Sequence, residues 1–223
     1  MNAPSISKEQ LRTIETQLSC PSGDKGVEVG RAMHEGNIGM TLATIDALCI
    51  DAKDVLLEIG HGNCGHLKQL FAVSEPAKYM GLEISKTMHE EAQKQLSEVN
   101  DAAIEFKLYK GDMLPLESES IDKIMTVNTV YFWKEPVLFF REIARVLKRQ
   151  GRCIVTFAEK SFMETLPFVN AKFSLYDITD IEKLSEQAGM ALKETICKKE
   201  MVKSKAGDLV ERSYVLAILI KVK

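Results

Sequence analysis

The sequence predicts an α/β fold: a mostly parallel seven-stranded sheet with helices on both faces and a C-terminal antiparallel hairpin. Three observations carry this. From residue 54 onward, short apolar runs alternate with helical stripes at the spacing of βαβ units. The first run, 55–59, stops at Gly60 and Gly62 and passes directly into the stripe Leu67, Leu70, Phe71, which is a strand, a glycine turn and a helix in that order. The last two β-like runs, 192–202 and 212–222, have no helix between them and are expected to pair antiparallel at the sheet's edge.

The elements follow in order. Ser7-Lys-Glu-Gln10 has the form of a capping box, and Leu11, Ile14 and Leu18 share one helical face behind it. Residues 20–30 are glycine-rich and read as a loop. A second helix is predicted over 38–48, with Leu42, Ile45 and Leu48 or Cys49 inward. After the glycine turn come a strand at 79–83 and a stripe of Met88, Ala92, Leu96 and Val99. Further strands are expected at 104–109 and 121–127, then the aromatic turn Asn128 to Trp133. Residues 137–147 read as a helix, 151–157 as a strand, and 177–188 as a helix with Gly189 suited to its C-cap.

Length and composition bound the function. At 223 residues the chain is most simply one domain. The formal net charge of −3 gives no global attraction to nucleic acid or to an anionic membrane. No apolar run approaches the length of a bilayer span, and the start lacks a secretory pattern. The five cysteines are scattered with no C-x-x-C pair, so the expectation is reduced thiols, no metal site and a cytoplasmic protein.

The glycine turn after the first strand points to a ligand. Backbone N–H groups and a helix N-terminus at the end of a sheet accept the polar end of a nucleotide-like molecule. Gly60 and Gly62 allow the turn and the ligand's close approach. Glu58, at the strand tip, repels a diphosphate but suits a ligand with a positive charge.

Leu57-Glu58-Ile59-Gly60-His61-Gly62, Gly81-Leu82-Glu83, Gly111-Asp112-Met113 and the turn Asn128 to Trp133 occur in series. With the segment 143–151, they make the chain resemble the class I S-adenosylmethionine-dependent methyltransferases, the small single-domain type acting on small molecules. The resemblance covers 54–223 and implies a Rossmann-like sheet with S-adenosyl-L-methionine as cofactor. It divides the domain 1–223 into N-terminal helices and lid (1–50) and a cofactor-binding core (51–223) with an insert at 159–177. Cys64 stands where the family usually has a third glycine.

By the resemblance, Glu83 meets the ribose hydroxyls, which a carboxylate accepts through charge-assisted bonds. Asp112 accepts from the adenine amino group, and Met113 lies against the ring. Glu58 faces the methionine ammonium, and the Asn128 backbone carbonyl is offered to the same group. Tyr131 is the expected pocket residue beside the sulfonium, Phe132 is expected in the core, and Trp133 is open between the two. His34 is the histidine placed to approach an acceptor; His61 and His66 only flank the glycine loop, and His89 is expected on a helix surface. The segments 20–40 and 162–176, without clean periodicity, are expected to close over the sulfonium end.

These features point to methyl transfer to a small, partly apolar metabolite by in-line displacement. An NAD(P)-dependent oxidoreductase and a cofactor-binding module without turnover stay open as alternatives. The expected partner is the small-molecule acceptor, with no nucleic acid and no membrane; monomer and homodimer are both open.

Overall fold

A computed structural model of the chain describes residues 7–96, 103–203 and 209–222. Helix α1 (Lys8–Ser19) begins at the expected capping box: Ser7 Oγ accepts the Gln10 N–H at 3.2 Å and Gln10 Oε1 accepts the Ser7 N–H at 2.8 Å. Helix α2 then runs for 26 residues, Gly23–Leu48, where the sequence predicted a loop followed by a short helix.

The reason for that difference is close packing. A Cβ at Gly26 would lie 2.8 Å from the Pro21 carbonyl carbon, and one at Gly30 would collide with the Met88 thioether. Glycine lowers helix propensity by about 1 kcal/mol per residue, so these glycines read as loop until the neighbours they make room for are known. The inward stripe of α2 also differs from expectation. Met40, Thr41, Thr44, Ile45 and Leu48 are buried, while Leu42 and Cys49 are exposed. Two threonines on the buried face hid its phase. Thr44 is satisfied there by bonds to Met40 O and the Thr156 hydroxyl, both at 2.7 Å.

The strands are β1 (Val55–Ile59), β2 (Lys78–Glu83), β3 (Ile104–Leu108), β4 (Ile121–Val127), β5 (Leu147–Ala158), β6 (Met190–Lys203) and β7 (Leu209–Lys221). They form one sheet in the order β3-β2-β1-β4-β5-β7-β6. The first five are parallel, and β7 runs antiparallel to both β5 and β6, as the missing helix predicted. The turn between β6 and β7 is largely outside the described residues. So is Val99, the last member of the predicted stripe; α4 is Lys86–Gln95.

Alternate side chains of each strand face opposite layers. Leu56, Tyr79 and Met125 pack with Met40 and Leu48 of α2, Leu67 and Leu70 of α3 (Leu67–Val73) and Ala92 of α4. Leu57, Ile59 and Ile124 pack on the other face with Phe139, Phe140 and Ile143 of α5 (Pro136–Val146), Met163 of α6 (Lys160–Met163) and Ile181 of α7 (Ile178–Glu186). Each such side chain contributes about 1.5–3 kcal/mol by leaving water. The strand order reverses between β1 and β4, and the open crevice of a parallel sheet lies at that switch, beyond the carboxyl ends of the strands.

Candidate cofactor site

The turn after β1 sits at that crevice. Gly60 and Gly62 adopt φ of 74° and 59°, left-handed values that glycine reaches without strain. A Cβ on Gly60 would also meet Thr129 Cγ2 at 2.5 Å. Cys64 stands at φ 54°, so the residue replacing the family's third glycine keeps the glycine conformation. Its burial, and the 3.3 Å contact of Sγ with the Tyr79 hydroxyl, hold it there. Gly65 makes room for a side chain instead, since a Cβ there would lie 2.9 Å from His34 Nε2.

Glu58 is buried at the end of β1 and is already partnered. His66 Nε2 donates to its Oε2 at 2.8 Å, and the Tyr79 hydroxyl donates to the same oxygen. Burial alone would raise the carboxyl's pKa, but the His66 charge and hydrogen bond, with the Tyr79 bond, outweigh it and hold it below the ordinary value. The Tyr79 hydroxyl is pushed up by burial and then by the neighbouring Cys64 and Glu58. Donor atoms of Glu58, Cys64 and His66 lie within 4.8 Å of one another, a spacing that could admit a metal ion. In this arrangement, however, each is hydrogen-bonded to a neighbour. Tyr79 and His66 carried no signal in the sequence beyond a strand and a loop. The clue was register: Tyr79 lies two residues before Gly81, and Gly81 pairs with Glu58.

Glu83, at the end of β2, is buried and accepts three backbone N–H groups: Gly62 at 3.0 Å on one oxygen, Ile84 at 2.8 Å and Ser85 at 2.9 Å on the other. Burial raises its pKa, and those three bonds pull against the rise. Thus Glu83 clamps the glycine loop to β2, with about one acceptor site, on the oxygen that takes Gly62, left for a ligand.

A cavity of about 70 Å³ opens beside the loop. Glu58, Gly60, His61, Gly62 and His66 border it on the sheet side, and Met33, His34 and Asn37 of α2 close it from above. The structure therefore brings together Glu58, Gly60, Gly62 and His34. Burial, then the neighbouring His66, lowers the His34 pKa, so the ring is neutral at physiological pH. Glu83, Asp112, Met113, Asn128 and Tyr131 do not border this cavity. Asp112 and Met113 are exposed in the turn after β3.

Asn128 takes the left-handed φ of 57° that asparagine tolerates. Its side-chain oxygen accepts from Ala158 N–H at 3.3 Å and Tyr131 OH at 3.2 Å. Tyr131 corrects the expectation of a pocket residue. It is 2% exposed, its one hydroxyl hydrogen is shared between Asn128 Oδ1 and Ala158 O, the latter at 3.1 Å, and its ring packs 5.9 Å from Phe173. Phe132 is packed against the core as expected, and Trp133 joins it between Phe139 and Phe140.

The two expected lid segments divide differently. Residues 20–40 are mostly α2, of which Gly30, Met33, His34 and Asn37 border the cavity. In 162–176, Phe162, Leu166, Phe173 and Tyr176 pack against the α5 and α7 face, which satisfies their apolar surface without a ligand. His89 is half-buried and not on an open surface.

Comparison with known proteins agrees with this fold. A methyltransferase domain family matches residues 57–155, from the Glu58 strand through most of β5. The uncharacterized methyltransferase YdaC of Bacillus subtilis (strain 168) is 24% identical over 127 residues, 57% of this chain and 68% of that protein. A phthiotriol/phenolphthiotriol dimycocerosates methyltransferase of Mycobacterium ulcerans (strain Agy99) is 26% identical over 136 residues, 61% of this chain and 49% of that protein. The chain thus spans about half the length of the second relative. Among solved structures, a phosphoethanolamine N-methyltransferase of Haemonchus contortus, in complex with S-adenosylhomocysteine, superposes with TM-score 0.66. It is 15% identical and is matched over 83% of this chain and 53% of its own. The domain match, the relatives and the fold together support a class I S-adenosylmethionine-dependent methyltransferase with S-adenosyl-L-methionine as cofactor.

Proposed function

We propose that the protein moves the methyl group of S-adenosyl-L-methionine to a small, partly apolar metabolite by in-line displacement. The observation that carries this reading is α2 lying across the glycine loop. Gly30 lies against Met88 of α4 and Gly65 against His34 of α2, so α2 narrows the space beside the loop, which favours a small acceptor over a polymer. Met33 supplies an apolar surface there, with His34 and Asn37 beside it.

The sulfonium is already activated, so what the chain has to supply is alignment, which could contribute up to roughly 7–11 kcal/mol. Glu58 and the Gly60–Gly62 turn would hold the methionine end, Glu83 the ribose, and Asp112 with Met113 the adenine. The Asn128 backbone carbonyl would share the ammonium. A neutral His34 would take the proton of an acceptor that has to lose one.

The test is turnover against a panel of small metabolites, with S-adenosylhomocysteine release as the readout. Production that depends on one acceptor class supports the proposal. Tight S-adenosylmethionine binding with no product from any acceptor would favour a binding module instead.

A further inference from the structure

Arg212, near the start of β7, carries a charge into the interior and is only 8% exposed. Its Nη2 donates to Glu200 Oε1 of β6 and to Gly36 O of α2, both at 2.6 Å. Its Nε reaches the same carboxylate oxygen at 3.1 Å. Glu200 in turn lies against Gly39 of α2, where a Cβ would collide with Oε2. A buried charge is costly unless it is paired and hydrogen-bonded, and this one is both. The C-terminal hairpin is thereby tied to the middle of α2, the helix that borders the cavity.

The remaining bond of Arg212 sets the orientation of Asn37. Nη1 donates to Asn37 Oδ1 at 3.0 Å, across 175 residues of sequence. A guanidinium only donates, so the amide oxygen faces Arg212 and the NH2 end is turned away from it. Among the described residues, the buried side-chain polar atoms left without a partner are His61 Nε2 and His89 Nδ1. Asn37 Nδ2 is neither of these, and no described residue accepts from it, so its N–H groups reach open space. Asn37 borders the cavity together with His34, one turn earlier on the same face of α2. Thr41, one turn later, uses its hydroxyl hydrogen on Asn37 O at 3.2 Å.

Side chains three apart on a helix have Cβ atoms roughly 5–6 Å from each other, so His34 and Asn37 can serve two neighbouring atoms of one small molecule. An amide N–H turned to a ligand favours an oxygen there, because an apolar group would leave it unpaired at a cost in affinity. We infer that the Asn37 amide, held by Arg212, donates a hydrogen bond to a carbonyl-type oxygen of the methyl acceptor. The acceptor is then a small, partly apolar molecule with such an oxygen near the atom that is methylated. The inference rests on the methyltransferase reading of the site and names the acceptor class which that reading leaves open. Asn37 is a specificity-determining residue in this account. Arg212 acts through it and is a positioning residue.

The test uses the full chain saturated with S-adenosylhomocysteine and two probes of the same shape. One is acetophenone; the other is α-methylstyrene, in which a CH2 group stands where the carbonyl oxygen was. Dissociation constants are measured on the unsubstituted protein and on Asn37→Asp, which keeps an oxygen for Arg212 and exchanges the amide donors for an acceptor. Acetophenone should be weakened roughly 2- to 10-fold, with α-methylstyrene unchanged and S-adenosylhomocysteine within about twofold. Arg212→Lys keeps a cation beside Glu200 without the fork that orients the amide, and should weaken acetophenone selectively as well. Equal losses for the two probes, no loss for either, or no binding of acetophenone to the unsubstituted protein overturns the inference. A loss of S-adenosylhomocysteine affinity in Asn37→Asp would place the amide against the cofactor and overturns it too. If Asn37→Asp does not fold, the Asn37 side-chain amide resonances of the unsubstituted protein decide. They should shift with acetophenone and stay in place with α-methylstyrene, and matching responses overturn the inference. Failure of the unsubstituted protein to bind S-adenosylhomocysteine would instead fault the cofactor reading beneath it, and this inference falls with that reading.

Discussion

The Glu58 carboxylate takes its 2.8 Å hydrogen bond from His66, eight residues further on and across the glycine loop. This bond ties the tip of β1 to the start of α3, so the loop between them is held at both ends. Tyr79 from β2 completes the arrangement by donating to the same oxygen. The loop is therefore fixed before any ligand arrives, and the carboxylate proposed to meet a ligand ammonium has its charge already stabilised.

Removing the Tyr79 hydroxyl tests that arrangement. Tyr79→Phe keeps the buried ring and deletes one bond to a buried carboxylate, worth roughly 1.5–3 kcal/mol. Stability in urea should fall by about that amount, and the Glu58 pKa should rise. An unchanged midpoint would mean that Glu58 is held by His66 alone.

Glu83→Ala should affect both binding and stability. It deletes the proposed ribose acceptor and also leaves the Gly62, Ile84 and Ser85 N–H groups without their carboxylate. Affinity for S-adenosylhomocysteine should drop on the order of 10-fold or more, with about 1–3 kcal/mol lost from folding. Binding lost at full stability would show that the loop does not need the clamp.

The fold should weaken in mild acid through His61. Its folded pKa of about 4 lies below the ordinary value of 6.5. Between those limits the unfolded chain binds a proton that the folded chain does not. Stability is therefore full above about pH 6.5 and falls as pH drops toward 4, with a slope approaching ~1.4 kcal/mol per pH unit. His34, lowered from 6.5 as well, acts with the same sign. Urea midpoints from pH 8 to 5 should fall more steeply for the unsubstituted protein than for His61→Phe. Parallel curves would contradict the assignment.

His34 should separate turnover from binding. For an acceptor that must lose a proton, His34→Gln should lower kcat by roughly 10²–10⁴ and leave cofactor affinity within about twofold. Gly65→Ala, whose Cβ would press on His34 Nε2 at 2.9 Å, should reproduce part of that loss by displacing the ring. Equal effects on kcat and cofactor affinity would make His34 a packing residue of α2.

Much of the scaffold was legible because local chemistry and tertiary structure agree there. The 55–59 strand, Gly60 and Gly62, the Ser7–Gln10 capping box and the C-terminal hairpin all fall where pattern and turn residues place them. Gly26 and Gly30 misled because their reason lies in Pro21 and Met88, 5 and 58 residues away in the sequence; a glycine kept for close packing looks identical to one kept for a turn. Tyr131 misled because an aromatic residue at a strand mouth serves a pocket or a core equally well, and Phe173 and Ala158 O decide in favour of the core. His61, His66 and Tyr79 were silent because their roles depend on which side chains share a face across β1 and β2.

Methyl transfer to a small acceptor is tested most directly with S-adenosyl-L-methionine labelled in its methyl group. The protein is incubated with the labelled cofactor and a cell extract, and the extract is then separated into small-molecule, protein and nucleic-acid fractions. The label is predicted to move into the small-molecule fraction, with one S-adenosylhomocysteine formed per methyl transferred and a much lower rate for His34→Gln on an acceptor that must lose a proton. Label recovered only in protein or nucleic acid, or a cofactor bound tightly yet never demethylated, would contradict the account.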